Sequence, residues 1–156
     1  MTQRVDLATV MDRLAIDELI SGYAVAVDDA DWDAYRRLFT SDGHADYRAA
    51  GGIAGPCGEV ADWLAESMRR FPVRQHLIVN RRVRLEDLGG YPGDSADALA
   101  DYVTPMYAAA EPDADGFTAG GRCRFALRRT ADGWRLRSVE MREKWRRTGP
   151  GVLSVE

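Results

Sequence analysis

The stretch Arg74-Gln75-His76-Leu77-Ile78-Val79-Asn80 sets an imidazole and a carboxamide in an apolar run that reads as the start of a β-strand. Alternate side chains of a strand share a face, so His76, Ile78 and Asn80 line one side and Leu77 and Val79 the other. An imidazole titrates near neutrality and suits the removal of a proton next to a carbonyl, provided a partner fixes its tautomer. A second residue stands out for its charge. Asp28 follows an apolar helical stripe, where a negative group opposes the helix dipole, and local rules give it no compensating gain. Tyr23 lies on that stripe, five residues before Asp28. Each also has a plain reading: a core tyrosine for Tyr23, a solvated acid in a turn between helices for Asp28.

The elements that must position these groups follow from periodicity. Over 6–27, Ile16, Ile20, Tyr23 and Val27 recur at helical spacing, with Leu14 and Leu19 beside them. Asp29 or Asp31 caps a short second helix, 31–39, whose apolar face is Trp32, Tyr35 and Leu38/Phe39. Thr40-Ser41-Asp42-Gly43 reads as a turn. On a strand over 44–48, Ala45 and Tyr47 face inward while His44, Asp46 and Arg48 face outward, so His44 is a surface residue. A Gly-rich loop, 49–56, suits a mouth or lid. A third helix, 58–70, presents Val60, Trp63, Leu64 and Met68.

After Pro72 the pattern turns to alternation, with strands at 74–86, 94–110, 116–130 and 134–146. Thr130-Ala131-Asp132-Gly133 is a hairpin signal. Alternation on the last strand puts Leu136, Ser138, Glu140 and Arg142 on one face and Arg137, Val139, Met141 and Trp145 on the other. Of Asp101 and Tyr102, one should face inward. Helices first and strands afterwards predict α+β: three N-terminal helices packed on a strongly curved, mainly antiparallel sheet, a cone-shaped α+β barrel enclosing one pocket. A single domain should span 1–156, with ends at 1–5 and 148–156 that are flexible or in subunit contacts.

A net charge of −4 argues against nucleic acid and anionic membrane as partners, since both require a basic field. A small neutral or weakly anionic ligand suits the chain better. Cys57 and Cys123 are far apart without metal-ligand spacing, so zinc is not expected, and buried thiols in a reducing cytosol are. The N-terminus shows no signal-peptide pattern and no apolar run reaches eighteen residues, which predicts a cytoplasmic protein.

Three sequence blocks carry a resemblance: Gly22 through Asp33 with Leu38-Phe39-Thr40, then Asp46-Tyr47, then Gln75-His76. With the Gly-Trp hairpin ending over 134–146, they resemble the SnoaL-like branch of the nuclear transport factor two-like superfamily along nearly the whole chain. That superfamily includes dehydratases, polyketide ring cyclases, isomerases, epoxide hydrolases and non-catalytic binders. Bile acid dehydratases carry a tyrosine and an aspartate near the end of the first helix. A tyrosine, a histidine and a late arginine follow; Tyr23, Asp28, Tyr47, His76 and Arg142 stand at the matching positions. Scytalone dehydratases share Asp46-Tyr47-Arg48 and Gln75-His76. Where they place a helix carboxylate and a second pocket histidine, this chain has Val25 and Met106, which argues against a two-histidine mechanism.

The resemblance implies His76 as base, Asp28 as its orienter, and Tyr23 and Tyr47 as donors to a carbonyl gaining enolate charge. No metal or organic cofactor is implied. Asn80, Arg142, Tyr102 and Asp101 are candidate substrate contacts. Asn80 reads equally well as a satisfied sheet amide, and Arg142 stands among other arginines that are usually solvated. Tyr23 and Asp28 lie about 140° apart around a helix, so both enter one pocket only if the helix ends near Val27. The expected activity is a cofactor-independent lyase or cyclase of dehydratase type, on a hydroxylated, carbonyl-bearing cyclic metabolite such as a polyketide or steroid. Alternatives are a ring cyclase or isomerase using the same pocket, and a non-catalytic small-molecule binder. An epoxide hydrolase would need an Asp-Arg-Asp set that Asp101 and Arg142 do not complete. Leu77, Val79, Val83 and Leu85, opposite His76, predict a homodimer through the convex sheet face.

Overall fold

In the computed structural model, which describes residues 6–149, the helical stripe folds as its spacing requires. Helix α1 (Leu7–Asp28) buries Ile16, Ile20, Tyr23 and Val27, whereas Leu14 and Val25 face solvent. Ala30, at φ 55°, turns the chain into α2 (Trp32–Arg37). Of the two expected caps Asp31 serves, accepting from the Ala34 N–H at 2.9 Å.

Strand β1 (Phe39–Asp46) starts earlier than the alternation suggested. Its partners on the last strand jump from Leu136 for Phe39 to Ser138 for His44, so the Thr40–Gly43 turn survives as a bulge. A 3-10 turn over Arg48–Ala50 leads to β2 (Ala54–Pro56) and α3 (Cys57–Ser67), which runs on into a second 3-10 turn. The remaining strands are β3 (Val73–Arg74), β4 (Leu77–Asp87), β5 (Pro92–Tyr107), β6 (Gly116–Thr130) and β7 (Gly133–Thr148). They form one sheet in the order β2-β1-β7-β6-β5-β3, with β4 also on β5. Among the described residues only β1 and β7 are parallel. The helices pack on one face as expected, but the sheet stays open, with β2 at one edge and β3 and β4 at the other.

Bulges decide which side chains face the helices, because one extra residue transfers everything beyond it to the opposite face. In β4, Val79 pairs with Asp101 but Arg82 with Leu99, and Asn80 at the bulge has φ 54°. Leu77 and Val79 therefore stay outside, each 44% exposed, while Val83 and Leu85 turn inward and pack against the core. The continuous convex apolar face expected from alternation does not exist. In β7 the ladder accommodates extra residues at Arg137 and Lys144. Val139, Met141, Glu143 and Arg146 consequently point inward, and Arg142 points out.

The C-terminal end is ordered further than expected: Thr148 closes β7, and the Gly149 N–H donates to Gly116 O at 3.2 Å. The rest of the predicted loose ends, 1–5 and 150–156, lies outside the described residues. Among the described residues no helix is long and apolar enough to cross a membrane.

Candidate active site

His76 sits where the sheet edge is interrupted. Between β3 and β4, the Gln75 N–H still donates to Pro105 O at 3.2 Å. The His76 N–H instead donates to the Asp28 carboxylate, 3.1 and 2.9 Å from its two oxygens. The same carboxylate takes the ring, with Nδ1 2.6 Å from Oδ1. One acid thus holds both the backbone and the imidazole of His76. Facing an ionised carboxylate, Nδ1 carries the proton and Nε2 is left as the basic nitrogen. Nε2 has no hydrogen-bond partner among the described residues, and His76 lines the main cavity.

Asp28 is the last residue of α1, so the helix does not end before it. The expected sharing of one pocket by Tyr23 and Asp28 is corrected accordingly: Tyr23 lines the cavity, and Asp28 reaches the imidazole from behind. Arg74 secures this junction. Its Nε donates to Val27 O at 3.0 Å, and its Nη1 to Phe71 O at 2.9 Å and Met68 O at 3.3 Å, tying the end of α1 to the segment after α3. Burial lowers the guanidinium pKa, and the charges of Asp28 and Asp29 oppose that shift.

Three tyrosines meet at the wall of the cavity that His76 also lines. Tyr47 Oη lies 2.6 Å from Tyr23 Oη and 2.9 Å from Tyr35 Oη. Tyr23 and Tyr47 line the cavity, and Tyr35 is fully buried behind them. Burial pushes all three hydroxyls well above the ordinary tyrosine range, so they stay protonated. Proton counting gives the chain a direction. Tyr35 has no other partner among the described residues, so its proton satisfies the chain only by pointing to Tyr47. One proton is then left over, on Tyr23 or Tyr47, and either can present it to the cavity.

The cavity holds about 750 Å³, with Trp63, Leu64, Phe71, Met106, Phe117 and Met141 among its walls and Gly51-Gly52 at its rim. Glu143 and Arg146 also line it and pair bidentately, at 2.9 and 2.8 Å. The Arg146 guanidinium lies 3.9 Å from the Phe117 ring centre and donates to Ala50 O at 3.2 Å. Tyr102 and Thr104 complete the concave wall.

Several expected contacts lie elsewhere. Arg142 is paired with Glu140 at 2.5 Å on the outer face, turned there by the β7 bulges. On β5 the even-numbered residues from Ala96 to Met106 are buried, so Tyr102 faces inward and Asp101 outward. Asn80, flipped by its positive φ, joins Asp101 outside at 3.0 Å, where Arg122 also binds that acid at 3.0 Å. His44 is exposed as expected. Sequence reasoning assigned no site role to Tyr35, Arg74, Thr104, Glu143 or Arg146. Thr104 was within reach, because it follows Tyr102 by two on a strictly alternating strand. Cys123 is fully buried, its thiol pushed up to about 12 by burial, and Cys57 is partly buried. Among the described residues no group of three or more His, Cys, Asp or Glu side chains is placed to hold a metal.

A model of the SnoaL-like domain matches residues 8–140. The uncharacterized protein Rv2910c of Mycobacterium tuberculosis is 36% identical over 135 residues, spanning 86% of this chain and 87% of that protein. A candidate aromatic ring hydroxylase of known structure from Novosphingobium aromaticivorans is 27% identical, with a TM-score of 0.75 over 89% of this chain and 94% of its own. The hexachlorocyclohexane dehydrochlorinase LinA type 2 superposes with a TM-score of 0.75 at 16% identity, over 95% of each chain. A candidate scytalone dehydratase from Novosphingobium aromaticivorans does so with a TM-score of 0.72 at 15% identity, over 96% of this chain and 98% of its own. These last two share the nuclear transport factor two-like cone, and their likeness is one of fold. The match across most of its length shows that the chain belongs to the SnoaL-like domain family.

Proposed function

We propose that this protein is a cytoplasmic, cofactor-independent lyase or cyclase of dehydratase type, acting on a small hydroxylated, carbonyl-bearing cyclic metabolite such as a polyketide or steroid. The observation that carries the reading is the Asp28–His76 pair. A carboxylate 2.6 Å from Nδ1 leaves the basic Nε2 unpartnered on a residue that lines an apolar cavity. Nε2 takes the proton from the carbon next to the substrate carbonyl. The carbonyl oxygen gains charge and receives the leftover proton of the tyrosine chain as a hydrogen bond. The C–H electron pair becomes the new double bond as the C–O bond to the neighbouring hydroxyl breaks. The imidazolium returns its proton to the departing oxygen, water leaves, and His76 is neutral again. Returning the proton to a different carbon would make the same site an isomerase; attack of the enolate carbon on a second carbonyl of the substrate, with the imidazolium proton passed to the new alkoxide, would make it a cyclase.

The names of two fold neighbours, a dehydrochlorinase and a candidate scytalone dehydratase, both denote eliminations. They support the reading by analogy of fold alone. A test needs no knowledge of the natural substrate. In D₂O, 1-tetralone and other neutral cyclic ketones should exchange the protons next to the carbonyl faster with the protein than in buffer, followed by ¹H NMR. His76→Ala, with an unchanged circular dichroism spectrum, should lose roughly 10²–10⁴-fold of that rate. An equally active His76→Ala protein, or no exchange above buffer with any ketone, would leave a binding protein instead.

A further inference from the structure

Two hydroxyls on the concave wall have no partner among the described residues. Tyr102 Oη and Thr104 Oγ1 are closed off from solvent and make no hydrogen bond, on residues only 4% and 3% exposed that both line the cavity. Buried polar groups are nearly always paired, since an unpaired one bears its full desolvation cost. Two such groups, two residues apart on one strand and carried by residues that line one cavity, call for a ligand.

The register shows what surrounds them. Tyr102 is level with Ile78 on one side and with Gly121 and then Glu143 on the other. Thr104 is level with Ala119 and then Arg146. The pairing of Leu77 with Val103 brings His76 alongside Thr104. Ala119, whose side chain is a single methyl, lines the cavity between Thr104 and Arg146, while the space over Gly121 is filled by the bulged β7 backbone at Arg142 and Glu143. The Glu143–Arg146 pair is mutually neutralised by its two bonds of 2.9 and 2.8 Å, so this wall favours neither an anion nor a cation. Burial pushes the Tyr102 hydroxyl up to about 12, which keeps it a donor at neutral pH.

We propose that Tyr102 and Thr104 form a subsite for an uncharged oxygen substituent, hydroxyl or carbonyl, distinct from the carbonyl that Tyr23 and Tyr47 polarise. This rests on reading the cavity as the seat of a small-molecule reaction. A carbonyl oxygen would accept from both hydroxyls, and a hydroxyl would accept from one and donate to the other. The substrate class is thereby narrowed to neutral cyclic compounds with at least two oxygen functions.

The test is calorimetric binding of 1-tetralone and its 5-, 6- and 7-hydroxy derivatives. At least one hydroxylated ketone should bind ten-fold or more tighter than 1-tetralone. Tyr102→Phe and Thr104→Val, which remove little beyond the hydroxyl, should each erode that preference at least three-fold. His76→Ala should keep the preference while losing proton exchange, so failure of the chemistry and failure of the subsite are told apart. In the free protein both substitutions should hold Tm or raise it by up to about 4 °C, because they remove unpaired polar groups. A wild-type protein that binds all four ketones equally or not at all, variants with unaltered preference, or a fall in Tm of more than about 4 °C would each overturn the proposal.

Discussion

Replacing Asp28 by asparagine keeps the volume of the side chain and removes its charge. In the native arrangement the carboxylate accepts the His76 N–H at 3.1 and 2.9 Å and the ring Nδ1–H at 2.6 Å. When Nε2 takes up a proton, the new positive charge lies roughly 4 Å from the carboxylate charge. At an effective dielectric of about 20 their attraction is about 4 kcal/mol, three powers of ten in rate. The amide has a second effect, since its NH₂ can donate to Nδ1 and leave the ring proton on Nε2, the wrong tautomer for a base. Ketone proton exchange should therefore fall by about 10²–10³-fold. Stability should fall by only about 1–2 kcal/mol, because the backbone N–H keeps a neutral acceptor in place of a charged one. The corresponding drop in Tm is roughly 2–8 °C. Deuterium exchange monitored by ¹H NMR reads the rate, and ¹⁵N NMR of the imidazole reads the tautomer. An Asp28→Asn protein within three-fold of the wild-type rate, or a wild-type His76 protonated on Nε2, would refute the reasoning.

Tyr35→Phe removes the buried end of the tyrosine chain without touching the cavity; exchange should slow by roughly 3–10-fold and stability should drop by about 1 kcal/mol, read by kinetics and thermal melts. Asp12, which accepts from Arg129 at 2.8 and 2.6 Å and from Trp134 Nε1 at 3.0 Å, is held below the usual carboxylate range chiefly by Arg129. Its contribution is thus complete above the unfolded value near 4 and is lost as pH falls through the lowered folded value. Asp12→Asn should cost about 2–3 kcal/mol at pH 7, less than a fully buried pair because Arg129 is 35% exposed, and should flatten the fall of Tm below about pH 4. We also propose that a second copy covers Leu77, Val79 and Leu99 on the outer face, which are 44%, 44% and 38% exposed. Light scattering should give a dimer mass and Val79→Lys a monomer; a monomeric wild-type protein ends that proposal.

Local signals were enough for much of the architecture. The stripe of Ile16, Ile20, Tyr23 and Val27, the Asp31 cap and the Asp-Gly hairpin, with Gly133 at φ 100°, each depend on residues within a few positions of one another. The same holds for the order of helices before strands. His76, Tyr23, Tyr47 and Asp28 could be singled out because their chemistry or charge was unusual for their place, and in the structure His76, Tyr23 and Tyr47 line one cavity while Asp28 holds His76 from behind. How they meet was decided elsewhere. Asp28 reaches His76 across 48 residues and takes the backbone N–H that a continuous strand would have spent on its neighbour. The exchange of Arg142 for Arg146, the outward turn of Asn80 and the inward turn of Val83 and Leu85 all follow from single extra residues in β4 and β7. Alternation within a strand gives a period of two but says nothing of where a neighbouring ladder forces a residue to be skipped. That is settled only when the strands pair, and with it which of many arginines faces the cavity.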